Sequence, residues 1–142
     1  MSETPENGGL AAELVSMSRK VLHLFADVGR GYGLTQQQVE LLCAVIVPGR
    51  IRMSELGKEL QMEKSGLSNL VDRAEQRGLV ARTRDVQDRR ATWVELTSEG
   101  SRLAMQTYSD VTARMARLVE RVPREEQKRL AAVVKTIKDG SS

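Results

Sequence analysis

The stretch DVQDRRATWVELTSEG, residues 85–100, carries a tight run of charge, then an alternating strand pattern, and then the start of a helix. In TWVEL, residues 92–96, successive side chains alternate between two faces, which predicts a β-strand. The preceding LVART, residues 79–83, has the composition of a partner strand. The two segments therefore predict a β-hairpin, and its loop places the adjacent Arg89 and Arg90 at the tip.

A helix predicted over about residues 64–77, immediately before this hairpin, has two different faces. The predicted buried stripe comprises Leu67, Leu70, Val71 and Ala74. The opposite side begins with the short polar side chains of Ser65, Ser68 and Asn69. Such side chains allow a helix to approach a DNA duplex closely, and Ser and Asn can bond to base edges in the major groove. A solvated face without a ligand is the alternative interpretation, since outward helix faces are generally polar.

A short helix is predicted just upstream from SELGKELQM, residues 54–62, with Ser54 as its N-cap. Two short helices joined by a tight turn and followed by a hairpin form a winged helix. In that arrangement Arg89 and Arg90 contact phosphates, or a guanidinium enters the narrow minor groove. Phosphate would repel an unpaired Asp88 beside them, so we predict that Asp88 pairs with an Arg side chain and holds the shape of the wing.

Long helical patterns flank the winged helix. From Leu10 the apolar spacing predicts an amphipathic helix that ends at GRGYG, residues 29–33. Those glycines follow a helix rather than a strand, which argues against a phosphate-binding loop. Thr35 with Gln38, and later Thr97, are predicted helix caps, and two more helices follow Thr97. The apolar faces of the flanking helices exceed what a winged helix needs, which indicates contact with a second copy of the chain.

The predicted fold class is therefore mainly α with a small β-hairpin wing, an α+β winged helix-turn-helix flanked by N- and C-terminal dimerisation helices. The predicted segments are a disordered N-terminal tail at 1–9, a dimerisation helix and turn at 10–33, the winged helix-turn-helix DNA-binding region at 34–97, with its recognition helix at about 64–77 and its wing at about 79–96, and the C-terminal dimerisation helices at 98–140.

Composition limits the function classes. The 142 residues fit one compact domain, and a content of only 3% aromatic residues favours a core of aliphatic side chains in packed helices. A net charge of +3 permits a polyanionic partner. No apolar run has the length of a membrane helix, so we expect a soluble, cytoplasmic protein without membrane contact. One histidine, His23, and one cysteine, Cys43, provide no metal site, and no catalytic set is present, so we expect no cofactor, no metal and no enzymatic activity.

The chain resembles the multiple antibiotic resistance regulator (MarR) family. The motifs LTQQQVELL, MSELGKEL, SGLSNLVDRAEQRGLVAR and DRRATWVELTSEG carry the resemblance, in that order, from about Leu34 to Gly100. The family resemblance implies a homodimer that binds a near-palindromic operator in double-stranded DNA, and repression that a small, often phenolic or anionic, effector relieves. The positions that carry over as DNA contacts are Ser65, Ser68, Asn69, Arg73, Arg89 and Arg90. The wing departs from the family pattern at Val86 and Gln87, where a further Arg often lies.

Other features of the chain leave alternatives open. Tyr32, Tyr108 and His23 are candidates to line an effector cleft between the dimer helices and the winged helix. Cys43 lies in an apolar helix, which favours a packed thiol over an oxidant sensor. A different class of function, a winged-helix adaptor that binds protein without specific DNA binding, is the alternative to the regulator.

Overall fold

The computed structural model describes residues 9–140. The elements are α1 (Leu10–Tyr32), α2 (Gln36–Ile46), β1 (Arg50–Arg52), α3 (Met53–Leu60), α4 (Lys64–Gln76), β2 (Val80–Arg84), β3 (Thr92–Leu96), α5 (Ser98–Leu118) and α6 (Arg124–Gly140). Helices with one small sheet confirm the predicted fold class. The predicted tail at 1–9 lies outside the described residues except for Gly9, which is the N-cap of α1. Two compact units divide the chain, the first up to Val111 and the second from Thr112.

Side-chain caps fix two helix starts, as predicted. The Thr35 hydroxyl accepts the amide of Gln38 at 3.1 Å, and the Gln38 side chain accepts the amide of Thr35 at 3.0 Å. This reciprocal pair satisfies two backbone donors at the start of α2. Thr97 plays the same part for α5, since its hydroxyl accepts the amide of Gly100 at 3.0 Å. The cap joins the end of β3 directly to α5.

One predicted helix start was wrong. Helix α3 begins at Met53 with Arg52 as its N-cap, so Ser54 lies inside the first turn. Helix α1 ends within the GRGYG run, as predicted, because its last residue is Tyr32 and Gly33, with φ of 69°, leaves the helix in the left-handed region. Propensity alone places such ends only to within a few residues.

The sheet contains a strand that the sequence did not predict. Its order is β1-β3-β2, and both pairings are antiparallel. On one face Ile51, Val94 and Arg82 lie opposite one another across the three strands, and this face carries the fully buried Val94. The hairpin predicted from LVART and TWVEL is β2 and β3. Strand β1 is three residues long, too short to show an alternating pattern.

The core of the winged helix lies between the sheet and helices α2, α3 and α4. Its buried cluster comprises Leu41, Val45, Ile51, Leu56, Leu67, Leu70, Val71, Ala74, Val80 and Val94. The four apolar positions predicted for α4 are all in it, and each large aliphatic side chain that is fully buried contributes about 1.5–3 kcal/mol. This stripe fixes the rotation of α4, so its opposite face is held towards solvent. No helix among residues 9–140 is both long and apolar enough to cross a membrane.

Candidate nucleic-acid interface

The outward face of α4, the predicted recognition helix, presents a continuous polar line. Ser65, Asn69 and Arg73 are exposed and lie four residues apart, so they follow one another along one side of the helix. The line begins one residue after the first residue of the helix, where the side chains are short. A duplex can therefore approach the N-terminal half of α4 before it meets the long side chain of Arg73.

A cleft of about 1020 Å³ separates α3 and the start of α4 from the wing, here defined as β2, β3 and the loop 85–91. Ser68 and Lys64 line its helix side, and Asp88 and Arg90 line its wing side. Ser68 is half-buried, so it belongs to this cleft rather than to the open line of Ser65 and its neighbours.

The two wing arginines occupy different positions. Arg90 lines the cleft, whereas Arg89 is exposed and does not line it. Val86, which is 96% exposed, and Gln87 are uncharged residues of the same loop. Arg89 and Arg90 are the two central residues of a turn that the bond from the Ala91 amide to the Asp88 carbonyl closes at 2.9 Å.

The carboxylate of Asp85 organises the base of the wing loop. Its Oδ1 accepts the backbone amides of Gln87 at 2.9 Å and Asp88 at 3.2 Å. Its Oδ2 accepts the indole N–H of Trp93 at 3.0 Å and the guanidinium of Arg52 at 3.2 Å. The amide of Gln87, the indole of Trp93 and the amide of Asp88 lower the pKa of Asp85, and the charge of Arg52 adds to them, because all four stabilise the ionised form.

Asp88 holds the wing in a different way from the predicted one. Its Oδ1 accepts the backbone amide of Arg90 at 3.1 Å, and its carbonyl accepts the amide of Ala91 at 2.9 Å. Within residues 9–140 its carboxylate forms no ion pair with an Arg side chain, and the loop carboxylate that does is Asp85, with Arg52. Asp85 was not predicted from the sequence, although an Asp two and three residues before bonded amides is typical of an Asx turn.

Trp93 packs against arginines on the face of the sheet that points away from α4. The guanidinium of Arg50 lies 4.0 Å from the centre of its ring, and that of Arg52 lies 5.0 Å away. Arg50 also lies 3.7 Å from the carboxylate of Glu95. Both arginines belong to β1, so the indole joins β1 to β3 by cation–π contact as well as by backbone pairing.

The predicted effector residues lie on two helices, His23 and Tyr32 on α1 and Tyr108 on α5. His23 and Tyr32 lie nine residues apart on α1, which places them on roughly opposite sides of the helix. His23 lies 3.7 Å from the carboxylate of Asp27 and its side chain is exposed. Tyr108 of α5 is 39% exposed. None of the three lines the cleft beside the wing.

Cys43 is a half-buried thiol of α2. Burial raises its pKa to about 11, and the nearby carboxylate of Glu40 adds to the effect, since both disfavour the thiolate. Among the described residues, no group of three or more His, Cys, Asp or Glu side chains is placed to hold a metal ion. Low reactivity of this thiol agrees with the interpretation that it is a packing residue.

A family model for the MarR family matches residues 32–91, which include α2, β1, α3, α4, β2 and the wing loop. The winged-helix region of this chain belongs to the MarR family. Proteins of the MarR family are transcriptional regulators and not enzymes, as the sequence predicted for this chain. The chain is 30% identical to the transcriptional repressor MdtR of Bacillus subtilis over 101 residues. That match covers 71% of this chain and 65% of MdtR, just under two thirds of its length.

Solved structures of MarR-family proteins share the fold. The structure of NadR in complex with 4-hydroxyphenylacetate has a TM-score of 0.84 at 20% identity, over 99% of this chain and 100% of NadR. A mutant of MarR from E. coli complexed with operator DNA has a TM-score of 0.73 at 24% identity, over 89% of this chain and 91% of that one. At such identities these likenesses establish the fold of this chain and nothing beyond it.

Proposed function

We propose that this MarR-family chain is a homodimeric transcriptional repressor that binds a near-palindromic operator. The single observation that carries the proposal is the exposed line of Ser65, Asn69 and Arg73 on α4, and the exposed Arg89 of the wing adds a cation to it. In this assignment Ser65, Ser68 and Asn69 face base edges in the major groove, and Arg73, Arg89 and Arg90 contact phosphates or the minor groove. A protein that acts on chromosomal DNA in this way works in the cytoplasm.

Exposed apolar side chains on α1 and α6 support the dimer. On α1 they are Leu10, Leu14, Val15, Met17 and Leu22, and on α6 they are Leu130, Val133, Val134 and Ile137. All nine are at least 43% exposed in a single chain, and an apolar surface of this kind is typical of a face that a partner covers. In the proposed dimer the segments 10–33 and 98–140 bind a second copy, and the two copies of α4 lie about 34 Å apart, one helical turn of DNA.

A small aromatic anion is the proposed effector class. The structure of NadR contains 4-hydroxyphenylacetate, and this chain carries Tyr32, Tyr108 and His23 as candidate contacts. An effector releases the repressor only if it binds more tightly to a conformation that does not fit the operator. Titration of 4-hydroxyphenylacetate into the protein–DNA complex tests this proposal. Release of DNA at concentrations that also raise the melting temperature of the free protein is the expected result.

The first experiment is fluorescence anisotropy of the purified protein with the DNA upstream of its own gene, against a scrambled duplex, over a salt series. The expected result is tighter binding to the native duplex, with two chains per site. The logarithm of affinity should fall with the logarithm of salt at a slope of about −0.9 for each phosphate contacted. Equal and weak binding to both duplexes, together with capture of a protein partner in a pull-down, would favour the adaptor.

A further inference from the structure

We propose that Asp85 is the positioning residue of the wing, an acidic side chain that itself avoids DNA but sets where Arg89 and Arg90 lie. The effect on DNA binding rests on the proposed function, whereas the effect on the wing itself does not. Each of its carboxylate oxygens bonds to a different part of the structure, which distinguishes Asp85 from every other acidic side chain of the wing.

The Oδ1 atom fixes the loop. It accepts the amides of both Gln87 and Asp88, and the adjacent backbone is closed by the Asp85 amide, which donates to the carbonyl of Ala91 at 3.0 Å. An oxygen that accepts two successive loop amides favours one arrangement of the turn. The Oδ1 atom of Asp85 therefore contributes to the path of the chain from Val86 to Arg89.

The Oδ2 atom connects that loop to the sheet. Its donors are Trp93 on β3 and Arg52 at the end of β1, so the carboxylate links the loop to two strands at once. The Asp85 side chain is only 15% exposed, less than half the exposure of the Arg52 side chain at 41%. Its oxygens are thus occupied by protein donors, and a duplex at the wing would meet Arg89 rather than this carboxylate.

The sign of the effect distinguishes positioning from ordinary electrostatics. Removing a negative charge close to DNA should strengthen binding to a polyanion, because the charge repels phosphate. If Asp85 positions the arginines, its removal should instead weaken binding. Asp88 is the matched control, because it lies in the same loop with the same charge but bonds only to the loop backbone.

The DNA test compares Asp85→Ala with Asp88→Ala in the full-length protein by anisotropy over a salt series. We expect Asp85→Ala to bind the operator about tenfold more weakly, with a slope shallower by about one phosphate contact. Asp88→Ala should lose less affinity than Asp85→Ala, because the Asp88 carboxylate bonds to the Arg90 amide but does not link the loop to the sheet. In an Arg89→Ala background the Asp85→Ala change should cost less than in the wild type, since the contact of Arg89 is already lost and only that of Arg90 remains to be disturbed.

A spectroscopic test uses no DNA. Trp93 is the only tryptophan of the chain, so its emission reports directly on the bond to Asp85. Asp85→Ala should shift that emission and speed the hydrogen exchange of the Gln87 and Asp88 amides, while α-helical circular dichroism stays unchanged. Asp85→Asn is the conservative variant, and it should protect these amides better than Ala because its Oδ1 can still accept them.

The outcomes separate the two proposals. Wild-type emission and wild-type amide exchange in both Asp85 variants would overturn the positioning role, as would operator binding by Asp85→Ala that is unchanged or tighter. If the wild-type protein fails to prefer the operator, the proposed function is wrong, and the exchange of the Gln87 and Asp88 amides still decides whether Asp85 holds the wing. If Asp85→Ala loses its helical circular dichroism signal, the variant is unfolded, and the same measurements on Asp85→Asn decide the question.

Discussion

Arg82 joins the wing to the recognition helix, because its Nη1 lies 2.6 Å from the Oδ1 of Asp72. The same nitrogen lies 2.6 Å from the Oε1 of Glu75, and Nη2 donates to the carbonyl of Ser68 at 3.2 Å. One side chain of β2 thus bonds to three residues of α4. The two elements proposed to contact DNA are held in a fixed relation by a residue that lies between them.

Replacing Arg82 with Gln should lower the free energy of unfolding by about 1–2 kcal/mol, because two charge-assisted bonds are lost from a partly shielded site. Urea unfolding followed by circular dichroism measures the loss. Arg84→Gln is the matched control, since Arg84 lies on the same strand, is exposed, and forms no ion pair within residues 9–140. Equal stability of the two variants would mean that the Arg82 cluster contributes nothing measurable.

Replacing Asn69 with Ala should reduce preference for the operator by about 1–3 kcal/mol while leaving binding to random DNA nearly unchanged, because the amide is assigned to a base edge. Anisotropy on both duplexes at one salt concentration measures the ratio of affinities. Gln76→Ala, at the exposed C-terminal end of the same helix, should leave the ratio as in the wild type. Equal losses of affinity on both duplexes for Asn69→Ala would mean that Asn69 does not contact a base edge and contributes only to binding that is independent of sequence.

Replacing Gly100 with Ala should destabilise the protein by more than about 3 kcal/mol, because a Cβ there would overlap the backbone carbonyl of Leu79. Gly31→Ala provides the control. Gly31 lies inside α1 with nothing within 4 Å of a Cβ, so Ala should be neutral or stabilise by up to about 1 kcal/mol. Thermal unfolding compares the two, and a Gly100→Ala protein that melts with the wild type would contradict the close approach.

Cys43 should react slowly with the disulfide reagent DTNB at neutral pH, because its pKa of about 11 lies above the ordinary value of 9.0. The thiolate fraction is then about a hundredfold lower than for a thiol with the ordinary pKa. A raised pKa also means that folding stability falls as pH rises from 9.0 towards 11, where the unfolded thiol ionises first. Guanidinium-unfolded protein is the control and should react at once. Fast labelling of the native protein would reopen oxidant sensing.

Local patterns accounted for most of the fold. The apolar steps on α4, the alternation in TWVEL and the capping box at Thr35 each depend on neighbouring residues, and the structure contains all three. Strand β1 was missed because it exists only through pairing with β3, which local sequence does not encode. Gly29 belongs to the glycine run at which the helix was predicted to end, yet it lies inside α1. The position excludes a side chain because a Cβ there would meet the carbonyl of Leu34, an approach visible only in three dimensions.

The sequence was sufficient to predict which types of residue form the candidate site, but not which side chains those residues bond to. Asp88 alone was predicted to hold the wing, yet residue type does not separate it from Asp85, since both are acidic residues in one loop. Only the structure distinguishes them, because Arg52 and Trp93 reach Asp85 from strands that lie far away in the chain or across the hairpin. Likewise the adjacent Arg89 and Arg90 differ only in which side of the loop each occupies.

The strand order has a consequence for how the chain folds. Ile51 pairs with Val94, 43 positions further along, and Val94 also pairs with Arg82. Helices α3 and α4 lie between those partners in the chain, so both helices leave the ribosome before the central strand exists. Closing so long a loop is slow and entropically costly. The last strand to be synthesised, β3, is therefore the one that completes the sheet. The winged helix cannot fold cooperatively until β3 is available to pair with both β1 and β2.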